Sequence, residues 1–250
     1  PTHYTTEDIA TMRVFPNIEV VTPSDVISMT AIIKDILKKP RFIFLRLDRD
    51  IMSNIYLGKN KFNLKDGFSK LIKGKKKCII SSGFLLNKIY QKLNSKNNKG
   101  IGLIDLYKIK PLNNKFLKEI IKYDEIVTVE EQWIEGGFGS AILEFLSKNG
   151  IKMKVTRHGL KEKYYFENGG REHLHNKYGL NIDKILKFID DSLETHNIVI
   201  ACYDGKTISP FIVSLYLMKY GEITKDKLKQ IILSKNTNIS MDYDLSLLDL

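Results

Sequence analysis

The sequence predicts an α/β protein whose core is a largely parallel β-sheet. Short apolar runs alternate with stretches of helical spacing between residues 77 and 156, as expected for strands joined by crossover helices. The run Arg41–Leu47 is strongly apolar and is typical of a strand buried in a parallel sheet. Residues 50–74 between these regions are polar and contain three glycines. The pattern therefore indicates two lobes joined by an irregular segment.

Individual elements follow from spacing and capping residues. A helix over 7–13 follows a Thr-Thr-Glu-Asp start, and Ser24-Asp25 caps a second helix that continues through Leu37. The predicted strands are 18–21, 41–47, 77–81, 102–105, 125–129, 151–156 and 197–202. The remaining predicted helices are 85–93, 116–122, 139–147, 182–193, 210–220 and 225–233.

Composition and charge limit the possible partners. No run approaches the roughly 20 apolar residues of a membrane span, so we expect no membrane partner. Lys and Arg exceed Asp and Glu by 40 to 29, but the basic runs lie at predicted turns without stacking aromatics. Solvated loops explain them better than nucleic-acid binding does. Cys78 and Cys202 lie in apolar stretches, which predicts reduced, buried thiols and a cytoplasmic protein.

Five groups of motifs, in order along the chain, carry a resemblance to a known family. They are residues 1–25 (PTHYTTEDIATMR, PNI and PSD), 108–112 (IKPL within KIKPL), 127–131 (VTVEE), 136–140 (GGFGS) and 157–180 (RHGL, ENGG and KYGL). Their order and spacing resemble the C-terminal portion of the transketolase family, and most of all the C-terminal subunit of two-subunit transketolases. The chain also begins without methionine, so we expect it to be the inside of a longer polypeptide.

The resemblance implies a domain organisation. Residues 1–60 would be the C-terminal part of a pyrimidine-binding domain, and 61–74 a linker. Residues 75–193 would form a transketolase C-terminal-like domain, with a parallel or mixed sheet and helices on both faces. Residues 194–250 are an extension that the family does not explain.

The resemblance also assigns three site residues. His3 would contact the donor sugar near the reacting carbon, a role that suits an imidazole that exchanges protons near neutrality. Arg49 would bind the substrate phosphate, because a guanidinium holds phosphate through two hydrogen bonds. Arg46 is a rival for that role. The alternative for Arg49 is an ion pair with Asp48 or Asp50.

The family uses thiamine diphosphate and Mg²⁺ to transfer a two-carbon ketol unit between sugar phosphates. The Gly-Asp-Gly…Asn motif that holds Mg²⁺ in the family does not occur in this chain. The resemblance therefore implies an enzyme part that is inactive alone. Its partners would be a cofactor-binding N-terminal subunit or domain, further copies of itself, and sugar phosphates.

Two clusters could be mistaken for catalytic or metal sites. Glu130 and Glu131 are adjacent on a predicted strand, so they face opposite ways and cannot share a substrate atom. We expect them to close that strand before the Gly-Gly-Phe-Gly turn. His158, His173 and His175 match no common metal-ligand spacing, and we predict no metal site.

The last residues suggest an alternative function. Residues 188–218 resemble the second half of a dual-specificity phosphatase, with Cys202 and Gly205 in place. Ile208 stands where that chemistry needs an arginine to clamp phosphate, and Ala201 replaces the preceding histidine. The segment is then either an inactive remnant or a plain strand–helix extension. The alternative to an enzyme part is a non-catalytic assembly or phosphate-binding module with this degenerate tail.

Overall fold

The computed structural model describes residues 5–58, 60, 62–95, 100–166 and 169–194. His3, Cys202 and the elements predicted after residue 194 lie outside the described residues. Residues 1–193 form one unit and 194–250 a second one. The division of the first unit into domains at 60 and 75 stays a prediction.

Helices and strands alternate along most of the described chain. The helices are α1 (Asp8–Val14), α2 (Val26–Lys38), α3 (Gly83–Ser95), α4 (Asn114–Ile120), α5 (Phe138–Lys148), α6 (Gly170–Lys177) and α7 (Ile182–Glu194). The strands are β1 (Glu19–Val21), β2 (Ile43–Leu45), β3 (Ser69–Ile72), β4 (Lys77–Ser81), β5 (Gly102–Asp105), β6 (Lys108–Lys110), β7 (Glu125–Trp133) and β8 (Lys154–Leu160).

The larger sheet has five strands in the order β3-β5-β4-β7-β8. Strands β5, β4, β7 and β8 are parallel, and β3 joins the edge antiparallel to β5. Every residue of the central strand β4 is buried, as a continuous apolar run in a doubly covered parallel sheet requires. The predicted α/β class with a parallel or mixed sheet is confirmed.

Helices cover both faces of this sheet. Helices α3 and α7 pack on one face, and the buried residues of α7 are Ile182, Ile185, Leu186 and Ile189, the spacing of one helical stripe. Helices α4 and α5 pack on the other face, where Phe116 and Phe138 are almost wholly buried. The arrangement predicted for this domain is therefore observed.

The smaller sheet has three strands in the order β2-β1-β6. Strands β1 and β2 are parallel, and β6 pairs antiparallel with β1. Asp25 caps α2 as predicted, because its side chain accepts a hydrogen bond from the Ser28 amide at 2.7 Å in a capping box. Strand β6 lies between β5 and α4 in sequence, so both sheets draw strands from the same stretch of chain.

Three local predictions were wrong. Residues 69–72 are not irregular but form β3, and Leu71 and Ile72 pack against the core. Residues 108–110, where no strand was predicted, form β6. Strand β7 does not close at Glu130 and Glu131 but continues to Trp133, which pairs with Leu160 of β8.

Two further features concern burial and membranes. Cys78 is a free thiol with no exposed surface, as predicted, and its burial raises its pKa.

None of the helices within the described ranges has the length and apolarity to cross a membrane.

Candidate functional site

The segment after β2, the strand β7 and the helix α6 carry polar side chains that meet beside the start of α3. The segment after β2 contains Asp48, whose Oδ2 accepts a hydrogen bond from the Phe84 amide at 2.9 Å. This amide lies at the start of α3, where backbone N–H groups lack partners within the helix. Gly83 comes just before it with a φ of +58°, and a Cβ there would lie 2.4 Å from Asp48 Oδ2. Only glycine fits this close approach without a shift.

Arg171 lies at the centre of the site. Its guanidinium donates to Asp48 Oδ1 at 2.6 Å, to Asp50 Oδ2 at 2.8 Å and to both carboxylate oxygens of Glu131. Its Cζ lies 3.8 Å from the centre of the Phe84 ring, within the range of a cation–π contact. One side chain from the first turn of α6 therefore joins the segment after β2, the strand β7 and the start of α3.

Glu131 is the buried anion of this site. Burial raises its pKa, but hydrogen bonds from Arg171 and His175 outweigh that effect and hold the pKa at about 2. The paired carboxylate is therefore ionised at neutral pH. Burial alone lowers the pKa of Arg171, yet Glu131 and Asp48 raise it above its usual range.

Glu130 faces the opposite side of β7. Its carboxylate accepts hydrogen bonds from the Phe138 amide at 2.7 Å and the Gly139 amide at 3.0 Å, at the start of α5. A Cβ on Gly137 would lie 2.0 Å from Glu130 Oε2, so the glycine at this position allows the contact. Burial raises the pKa of Glu130 to about 8. The two glutamates have separate partners, which confirms that they do not act on one atom.

The two predicted phosphate-binding arginines differ in their surroundings. Arg46 is largely buried, and its Nε donates to Asp8 Oδ2 at 3.0 Å. Arg49 is exposed and forms no ion pair with any other residue that the structure describes. Asp48 and Asp50 bind Arg171, not Arg49, so the ion pair considered as the alternative for Arg49 is not formed.

Sequence reasoning missed Arg171 and the contact between Glu131 and His175. His175 Nε2 lies 2.5 Å from Glu131 Oε1, on the face of α6 that points to β7. One signal was available: a carboxylate inside a buried strand needs a cationic or hydrogen-bonding partner. The sequence does not identify that partner, because it is 40 residues further along the chain.

The described residues do not supply a site for Mg²⁺ and a diphosphate. No group of three or more His, Cys, Asp and Glu side chains in the described ranges is placed to hold a metal ion. The acidic side chains of the site are already bound by Arg171 and His175, so they are not available as oxygen ligands.

The fold and the position of the site define a class of protein. It is a mostly parallel α/β domain whose polar side chains gather at the carboxyl ends of its strands. Residues 69–185 match the family described as transketolase, C-terminal domain. This match covers a little under half of the chain and makes residues 69–185 a domain of the transketolase C-terminal type.

Relatives of two kinds match the chain. A 1-deoxy-D-xylulose-5-phosphate synthase of Thermus thermophilus is 30% identical over 186 residues, which are 74% of this chain and 30% of that protein. A putative transketolase C-terminal section of Methanocaldococcus jannaschii is 28% identical over 195 residues, 77% of this chain and 61% of that protein. The chain thus spans about a third of the synthases and under two thirds of the transketolase section.

Two solved structures share the fold. A split-gene transketolase, described as an inactive beta4 tetramer, superposes with a TM-score of 0.66 at 27% identity, over 77% of this chain and 63% of that one. A transketolase from Campylobacter jejuni gives a TM-score of 0.54 at 17% identity, over 76% of this chain and 29% of that one. The second likeness concerns the fold alone.

Proposed function

We propose that this chain is the C-terminal part of a thiamine-diphosphate-dependent transketolase-like enzyme that transfers a two-carbon ketol unit between sugar phosphates. The observation that carries the proposal is the likeness to the split-gene transketolase. It covers 77% of the chain, which is more than residues 69–185 alone. The likeness to the transketolase C-terminal section has a similar extent.

Arg49 is the proposed phosphate-binding residue. Its guanidinium is exposed, and the two neighbouring carboxylates are paired with Arg171 instead of with Arg49. An arginine in this state can donate two hydrogen bonds to a phosphate. Arg46, which already binds Asp8, is the second candidate. His3 is proposed, on the family resemblance, to contact the donor sugar.

The cofactor and its Mg²⁺ are proposed to be held mainly by an N-terminal subunit or domain that this chain binds. Large apolar side chains are exposed on both α2 and the segments around β2, among them Leu37, Phe42 and Leu47. Strand β2 is an edge strand of a parallel pair, and parallel strands are normally covered on both faces. This surface supports docking of further polypeptide.

Self-association is proposed as well. The split-gene relative is described as an inactive beta4 tetramer, that is, as copies of one chain. By analogy, this chain would associate with itself and lack turnover until the cofactor-binding partner joins it. We place the assembly in the cytoplasm.

The test is reconstitution. The chain is mixed with a cofactor-binding N-terminal transketolase subunit, thiamine diphosphate and Mg²⁺, and ketol transfer from xylulose 5-phosphate to ribose 5-phosphate is measured. We expect transfer by the mixture and none by either component. Transfer by the isolated chain contradicts its proposed incompleteness. A complex that forms without any transfer favours the non-catalytic module.

The phosphatase-like alternative gains no support from the described residues. Cys202 and the surrounding segment lie outside them. Hydrolysis of p-nitrophenyl phosphate that is lost in Cys202→Ser would be needed to revive it, and we expect none.

A further inference from the structure

The two residues that flank Arg49 are bound by one guanidinium. Asp48 Oδ1 lies 2.6 Å and Asp50 Oδ2 2.8 Å from the terminal nitrogens of Arg171. One group therefore holds both neighbours of Arg49 and restrains the backbone between them, while the Arg49 side chain is exposed.

Arg171 is itself held rigidly. Glu131, a buried residue of the core strand β7, binds it through both carboxylate oxygens. The Phe84 ring covers one face of the guanidinium, and the side chain of Arg171 is only 17% exposed. A group anchored in this way can act as a fixed point for the segment after β2.

The same segment has further attachments on both sides of Arg49. Asp48 also accepts from the Phe84 amide, and Arg46 is fixed to Asp8 and to the Val21 carbonyl. Asp50 is half exposed, and Arg171 is its only ion-pair partner within the described ranges. Without Arg171, Asp50 would lose this ion pair, and the next attachment along the chain would be Ser53, which forms hydrogen bonds with Asn87.

We propose that Arg171 is a positioning residue for Arg49: by binding Asp48 and Asp50 together, it orders the segment that presents Arg49 to the substrate phosphate. This inference rests on the proposed function. It gives the C-terminal domain a defined part in recognition of the phosphorylated sugar, although Arg171 itself touches no substrate.

The planar guanidinium group of arginine, with its several N–H donors, is essential to this role. A guanidinium can donate to three carboxylates from a planar group, whereas an ammonium is a point charge on a flexible stem. Arg171→Lys therefore keeps the charge and is expected to lose part of the positioning. Arg171→Gln removes both the positive charge and the planar guanidinium group.

The matched control is Arg41→Gln. Arg41 also binds two carboxylates, those of Glu19 and Asp35, but it lies at the opposite end of β2. Its loss removes a comparable ion-pair group without touching the segment that carries Arg49.

The kinetic test uses the reconstituted enzyme with ribose 5-phosphate and with unphosphorylated ribose as acceptors. We expect Arg171→Gln to raise KM for ribose 5-phosphate by about tenfold to 100-fold, the loss expected for weakened charged hydrogen bonds. KM for ribose and kcat stay near the wild-type values. Arg171→Lys gives a smaller rise, and Arg41→Gln gives none.

The double variant separates this inference from the proposed function. If Arg171 acts through Arg49, adding Arg171→Gln to Arg49→Gln raises KM no further. If Arg49→Gln raises KM and Arg171→Gln does not, or if the two effects simply add, the positioning role is overturned while phosphate binding by Arg49 stands. If Arg49→Gln leaves the preference for ribose 5-phosphate unchanged, both are overturned.

A measurement on the chain alone is independent of activity. Backbone ¹⁵N order parameters for residues 47–51 should fall below about 0.6 in Arg171→Gln and stay near about 0.85 in Arg41→Gln. Unchanged order parameters in a folded Arg171→Gln chain contradict the proposal.

Discussion

The hydroxyl of Tyr56 donates a 2.6 Å hydrogen bond to Asp105 Oδ2. Asp105 ends β5 and is wholly buried, and its other oxygen accepts from the Ser24 hydroxyl at 2.9 Å. The carboxyl group therefore joins the segment after β2 and the start of α2 to the five-stranded sheet. It lacks a cationic partner among its described contacts, so its ionisation is costly.

Asp105 makes stability depend on pH. Burial raises its pKa from 3.8 to about 7, although hydrogen bonds from Tyr56 and Ser24 oppose the rise. A raised pKa contributes stability that is present below the unfolded value and is lost as pH rises through the folded value. We expect Asp105→Asn to gain roughly 2 kcal/mol of unfolding free energy relative to the wild type between pH 5 and pH 8. Urea unfolding of both proteins at several pH values measures their free energies of unfolding. A difference between the two proteins that does not change with pH contradicts the prediction.

Glu131 has the opposite dependence. Its pKa is held at about 2, below its ordinary value of 4.5, so its stabilisation is present above pH 4.5 and is lost as pH falls through about 2. Glu131→Gln leaves Arg171 with a weaker buried partner, and we expect a loss of about 3 kcal/mol at pH 7. The loss should shrink at pH 3. The control is Glu144→Gln, an exposed partner of Arg13, which should change stability by under about 1 kcal/mol.

Gly83→Ala tests the contact between α3 and the segment after β2. The new methyl group would lie 2.4 Å from Asp48 Oδ2, and the positive φ adds strain. Gly150→Ala is the matched control, since its φ is +68° and no atom lies within 4 Å of the added carbon. We expect a loss of about 1 kcal/mol for Gly150→Ala from the backbone alone, and roughly 1–2 kcal/mol more for Gly83→Ala. Equal losses in thermal unfolding argue against a tight contact.

Asp25 does more than cap α2. Its second oxygen accepts hydrogen bonds from the amides of Ile55 and Tyr56 at 2.8 and 2.9 Å. Asp25→Ala therefore removes a cap and leaves two buried amides without their partner, and we expect a loss of about 3 kcal/mol or more. Asn113→Ala removes the cap of α4 at a less buried position and should cost about 1 kcal/mol. Similar values in urea unfolding would falsify the added role of Asp25.

Strong local signals allowed much of the fold to be predicted. The apolar run of β4 and the stripe of α7 follow directly from residue spacing, and Asp25 was recognised as a cap from its residue type. Strand β3 was missed because it is a short edge strand in a polar region, where Lys70 is exposed. Helix α6 was missed because only Leu174 and His175 of its residues are buried, so it has almost no apolar stripe.

The site was harder to predict than the fold. The role of Arg49 was predicted from family resemblance alone, and its neighbours Asp48 and Asp50 bind Arg171, which lies more than 100 residues away along the chain. No local pattern relates Asp48, Glu131 and Arg171, because only the packing of β7 and α6 brings them together.

Strand β6 limits how far the two sheets can be separated or exchanged as independent parts of the chain. Val20 and Val21 of β1 lie opposite Lys110 and Lys108, which follow three of the five strands of the larger sheet in the chain. A nick near Lys65 would therefore yield two fragments that remain associated, not two free modules. By the same reasoning, a chimaera that exchanges residues 75–193 also exchanges one strand of the smaller sheet, and must supply a donor whose strand fits β1.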